Sequence, residues 1–80
     1  MIEVHIKRRW IAHWAEAAMK YKPQAFAVGK GDPTKVDHLF SAGTEDGRRC
    51  FAFASIEERD NYVAISPETV PCTVFGYAVV

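Results

Sequence analysis

The sequence predicts a single α+β domain over residues 1–80: a mainly antiparallel sheet of four to five strands with two helices, in two layers. Three observations carry that prediction. Cys50-Phe51-Ala52-Phe53-Ala54 alternates small and bulky side chains, as a strand does, and runs directly into a helix-start signature. Trp10 to Tyr21 places apolar residues at helical spacing. The two ends of the chain, Ile2–Lys7 and Cys72–Val80, alternate as strands.

In chain order, Ile2, Val4 and Ile6 point to one side of the first strand, and Glu3, His5 and Lys7 to the other. A helix follows from about Arg9 to Tyr21. Trp10, Ile11, Trp14, Ala18 and Tyr21 form its apolar stripe, its alanines favour helix, and Pro23 ends it. Its start is poorly marked, because Lys7-Arg8-Arg9 puts cations at the positive end of the helix dipole. Either the strand runs further than its alternation shows, or those cations serve a partner. Gln24 to Gly29 alternates as a short strand, the optional fifth. Lys30-Gly31-Asp32-Pro33-Thr34 is a loop by composition, and Val36 to Ala42 the next strand. Thr44-Glu45-Asp46-Gly47 supplies a hairpin turn, since Asp-Gly tolerates the positive φ that tight hairpins need. The Cys50–Ala54 strand comes next. Ser55-Ile56-Glu57-Glu58 is a capping box that opens a helix running to about Ile65, before Ser66-Pro67. Cys72 to Val80 closes the sheet.

That β-α-(β)-β-β-α-β order is the ferredoxin-like one with an added strand after the first helix. The strands segregate by size: Phe26, Phe51, Phe53, Phe75 and Tyr77 make one face, while Ala25, Ala27, Cys50, Ala52, Ala54, Gly76 and Ala78 make the other. Neither face is polar, so both are expected to be covered. One cover is the helix layer, with Trp10 and Trp14 fitting the small face. The other is a protein partner, a second copy of the chain, or the segment 22–36 folding across.

Equal numbers of cations and anions give a formal net charge of zero, which argues against a protein devoted to nonspecific nucleic-acid binding. The zero conceals a split, with +3 over residues 1–40 and −3 over residues 41–80. The start of the chain lacks a secretory pattern, and no stretch approaches the roughly 18 apolar residues of a membrane span; a cytoplasmic protein without membrane contact is expected. Cys50 and Cys72 form no C-x-x-C pair and are expected as buried, reduced thiols. His5, His13, His38 and the cysteines lack zinc-site spacing, so no metal is expected. Gly29-Lys30-Gly31 lacks the length and Lys-Ser/Thr ending of a phosphate loop, and no cofactor is implied. Asp37 and His38 are adjacent on a strand and point oppositely, so neither orients the other; no catalytic set emerges and no enzyme is expected.

The expected function is therefore non-enzymatic protein–protein contact, with inhibition of a larger nucleic-acid-handling complex as its expected form. The residues expected to meet the partner are the acidic Glu45, Asp46, Glu57, Glu58 and Asp60 together with Phe75 and Tyr77. In size and in lacking a familiar motif, the chain is similar to the small inhibitors encoded by phages, of the anti-CRISPR kind; that resemblance is one of type. The alternative rests on Arg49-Cys50-Phe51-Ala52-Phe53-Ala54-Ser55-Ile56, which resembles the third-strand motif of the RNA-recognition motif family. That resemblance implies RNA binding through Arg48, Arg49, Phe51 and Phe53, with the two aromatics stacking on bases. The departures are Cys50 in place of glycine, Ile56 in place of an aromatic residue, and Glu3 on the first strand.

Overall fold

The structure, a computed structural model, describes residues 2–30 and 37–76. They form strand β1 (Ile2–Val4), a 3-10 turn (Arg8–Trp10), helix α1 (Ile11–Tyr21), strands β2 (Ala25–Gly29), β3 (Phe40–Gly43) and β4 (Arg49–Phe53), helix α2 (Ile56–Ile65) and strand β5 (Val70–Val74). Val36, most of the predicted loop, and Tyr77 to Val80 lie outside the described residues. The sheet is mixed, in the order β1-β5-β2-β4-β3. Three neighbouring pairs are antiparallel, as expected, whereas β1 runs parallel to β5. The optional strand after the first helix is present as β2, whose five residues are all buried in the middle of the sheet.

The expected two-layer arrangement is corrected, because the two helices cover opposite faces. On one face Trp14 of α1 packs with Val4, Ile6, Phe26, Val28, Ala42, Cys50, Ala52, Cys72 and Val74. On the other, Tyr62 of α2 packs with Ala27, Phe51 and Phe53. The expected sorting by size is corrected for the same reason. Register pairs Phe26 with Ala52 and Ala27 with Phe51, so each face sets bulky residues against small ones. Cross-strand partners share a face, and a large ring beside a methyl group fills the layer without a void.

The small residues on the α1 face let the sheet curl. Cys50 and Cys72 lie on β4 and β5, which flank β2 from either side. Strands two apart in a flat sheet are separated by roughly 9–10 Å, yet the two thiols meet at 3.8 Å. The curl brings the outer strands together. Ile6 bridges Thr44, the Lys7 N–H donates to the Gly43 carbonyl at 2.9 Å, and the Glu45 N–H donates to the His5 carbonyl at 2.9 Å. The result is a small barrel closed at this one point, with Trp14 filling its interior beside Phe26 and Phe40. The expected Ile2–Lys7 strand is thus shortened to β1 plus the isolated Ile6 bridge and does not run further, and the 3-10 turn sets Lys7 and Arg9 ahead of α1.

Local chemistry explains the connections. Lys22 closes α1 in a left-handed conformation, donating its N–H to the Ala18 carbonyl, and Pro23 prevents continuation. Between β3 and β4, the Gly47 N–H donates to Thr44 and Gly47 adopts φ 87°, the three-residue hairpin whose last position favours glycine. Ser55 accepts from the Glu58 N–H at 3.1 Å, the predicted cap of α2. Ser55→Ala is expected to cost about 1 kcal/mol, read as a lower urea midpoint with an unchanged m-value. Arg59 anchors α2 to the sheet, its guanidinium donating to the Phe26 carbonyl at 3.2 Å and to Asp60 at 2.7 Å.

Candidate functional site: two adjoining grooves

The closure of the barrel creates two grooves, one on each side of the segment from His5 to Ala15. The first has a volume of about 380 Å³ and is apolar. Trp14 is its buried floor, while Ile11 and Ala15 of α1 form one wall and Val74 and Phe75 the other. Phe75 continues the β1–β5 ladder, donating its N–H to the Val4 carbonyl at 2.9 Å. That places its ring, 61% exposed, in a stack on the His5 imidazole at 4.5 Å and 16°. Ile11 is 51% exposed. Glu45, on the hairpin turn, is the carboxylate among the lining residues.

The second groove has a volume of about 370 Å³ and is cationic. Lys7, Arg9, Lys30, Arg48 and Arg49 line it, with Trp10 and backbone at Gly29, Gly43 and Gly47. Arg48 is held within the turn by Asp46, its Nε donating at 3.0 Å. That bond, with a second from the Thr44 hydroxyl, keeps the Asp46 carboxyl well below the usual carboxylate range, and Asp46 in turn raises the Arg48 guanidinium further. Arg49 donates to the Ser41 hydroxyl at 3.1 Å. The Trp10 indole lies over β3 at Gly43, with the Arg9 guanidinium 5.6 Å from its centroid.

The predicted acidic surface is divided by this geometry. Glu45 borders the apolar groove and Asp46 is engaged inside the turn, both ahead of β4. Glu57, Glu58 and Asp60 follow β4 and stand exposed at its other end, about 17 Å away by strand rise. Phe75 is on the apolar groove, and Tyr77 lies outside the described residues. The RNA-recognition alternative is corrected at its aromatics. Phe51 and Phe53 are 0% and 1% exposed beneath Tyr62, so neither ring offers a face to a base. Its cations Arg48 and Arg49 do line the basic groove.

Sequence reasoning missed His5, Ile11, Trp14 and Ala15 on one groove and Trp10 and Lys30 on the other, while Lys7 and Arg9 were among the cations it offered to a partner as one of two alternatives. The misplaced cations at the start of the first helix were the available signal for the second. Among the described residues, no group of three His, Cys, Asp or Glu side chains converges as a metal site, and no helix is long and apolar enough to cross a membrane. His38, expected on a strand, precedes β3 and packs edge-on against Phe51 at 5.3 Å. No protein-family model, no curated protein and no solved structure matches the chain.

Proposed function

We propose that this is a non-enzymatic binding protein that captures a protein segment in its apolar groove. The observation that supports this most is the pairing of exposed Phe75 and Ile11 across a cleft floored by Trp14. Apolar side chains flanking a cleft leave water in unfavourable contact, and a partner that fills the cleft releases it. Glu45 sets the chemistry of that partner: an aliphatic or aromatic anchor with a lysine or arginine beside it, since a carboxylate at a groove rim favours a complementary cation. A second copy of the chain is no longer needed to cover the aromatic face, because α2 covers it. Inhibition of a nucleic-acid-handling complex remains the fitting form of this function, such complexes being rich in basic segments.

Selection from a random peptide library tests it. Enriched peptides are expected to pair an apolar anchor with a flanking cation. Phe75→Asp should weaken them roughly 30-fold or more, the scale of an interface hot spot, and Glu45→Lys should shift the preference toward an acidic flank. Peptides that bind the Phe75→Asp protein as well as the original would refute the proposal.

A further inference from the structure

We infer that the basic groove is a site for a nucleotide unit, whose phosphate the cations hold and whose unpaired base stacks on Trp10. The charge distribution is the first support. Five of the chain's ten lysines and arginines line this one groove of a protein with net charge zero, so the local field is cationic although the total is not. Asp46 compensates Arg48. Among the described residues, no carboxylate pairs with Lys7, Lys30 or Arg49. These side chains are also not neighbours in sequence. Lys7 follows β1, Arg9 is in the 3-10 turn, Lys30 follows β2, and Arg49 opens β4. Pairing of β2 with β4 sets Lys30 beside Arg49, and the closure of the barrel adds Lys7 and Arg9 to them; bringing like charges together opposes folding unless an anion compensates them.

The shape of the site is the second support. Gly47, at φ 87° with open space where a side chain would begin, leaves bare backbone at the rim of the groove, so a bulky anion can approach closely there. Arg49 is steadied by Ser41, which lowers the entropy lost when it holds a ligand.

Trp10 is the third. Its position in the helical stripe assigned it to the core, yet it remains 39% exposed at the groove, propped over Gly43. An indole beside a cluster of guanidinium and ammonium groups is the arrangement by which proteins hold single-stranded nucleic acid: cations follow the backbone and the ring stacks a base. Bases paired in a duplex have no free face to stack, so an unpaired unit is favoured. The same chemistry fits a free nucleotide or a link of a single strand, and the measurement separates them.

The experiment is fluorescence anisotropy with a labelled single-stranded oligonucleotide at low salt, with unlabelled duplex, ATP and inorganic phosphate as competitors. The strand is expected to bind, and its affinity to fall steeply with salt. Lys7→Ala and Lys30→Ala should each flatten the salt dependence by about 0.7 in log–log slope. Trp10→Ala should weaken binding about 5- to 150-fold, the range that corresponds to loss of one stacked base. All three residues are exposed, and circular dichroism checks that each variant is folded. Competition by ATP as effective per molecule as by unlabelled strand identifies a free nucleotide as the ligand; competition by strand alone identifies the polymer. Absence of binding at low salt, phosphate competing as well as ATP, or binding that duplex matches and Trp10→Ala leaves unchanged would overturn the inference.

Discussion

Phe51→Ala is expected to destabilise the protein by about 3–5 kcal/mol, the cost of emptying a phenylalanine site in a packed core. The ring is fully buried between β4 and α2, edge-on to both Tyr62 and His38. A domain of this size has a total stability of only about 4–12 kcal/mol, so the variant should be substantially unfolded at moderate urea or modest heating. The control is Phe75→Ala, whose exposed ring should leave stability within about 0.5 kcal/mol. Urea titrations of the two variants also decide a functional question. If Phe51 were a base-stacking residue, its loss would weaken RNA binding and leave the fold unchanged. A Phe51→Ala midpoint indistinguishable from that of the original protein would show that α2 does not seal this face.

The contrast between Phe51 and Phe75 shows where the sequence was legible. Alternation read both as strand aromatics, although Phe75 sits in the turn after β5. Strands β1, β3 and β5 differ in extent from the predicted ones, whereas β2, β4, the Thr44–Gly47 turn and the Ser55 cap lie close to where the sequence places them. Those features depend on near neighbours in the chain. Which face a strand turns toward a given helix depends on register between segments far apart, and a shift of one residue exchanges the faces. The sequence reading put Phe26 and Phe51 on one face; their strands pair Phe26 with Ala52 instead. The same reason hid the grooves. Lys7, Lys30 and Arg49 are far apart in the chain: β2–β4 pairing sets Lys30 beside Arg49, and Lys7 joins them because Ile6 bridges Thr44 and closes the sheet. A single isolated bridge leaves no periodic trace. What did leave one was a local conflict: three consecutive cations where a helix should begin. Local rules are broken most often where a site requires it, and two of those three residues line the basic groove.

The interior of the barrel makes a further quantitative demand. Stability is expected to fall as pH rises above about 8.5, by about 1.4 kcal/mol per pH unit from Cys50 alone. The Cys50 thiol hydrogen-bonds to Cys72 in the buried interior, and that bond together with burial pushes its pKa far above the ordinary thiol range. The folded protein therefore keeps this proton where the unfolded chain, with an ordinary pKa near 8.5, gives it up. Below that value both states hold the proton and the contribution is fully present. Above it the unfolded state binds fewer protons than the folded one, so each unit of pH favours unfolding. Between pH 8 and pH 10 the loss should approach about 2 kcal/mol, a large fraction of the stability of so small a domain. Urea titrations across that range measure it, and Cys50→Ala should remove this component of the slope while adding a modest constant cost for the missing sulfur. The same burial should keep Cys50 unreactive toward a thiol reagent in the native protein and make it react at the rate of unfolding. A pH slope that Cys50→Ala leaves unchanged, or rapid labelling of Cys50 in the folded state, would mean that the thiol is open to water and that the sheet does not curl around it.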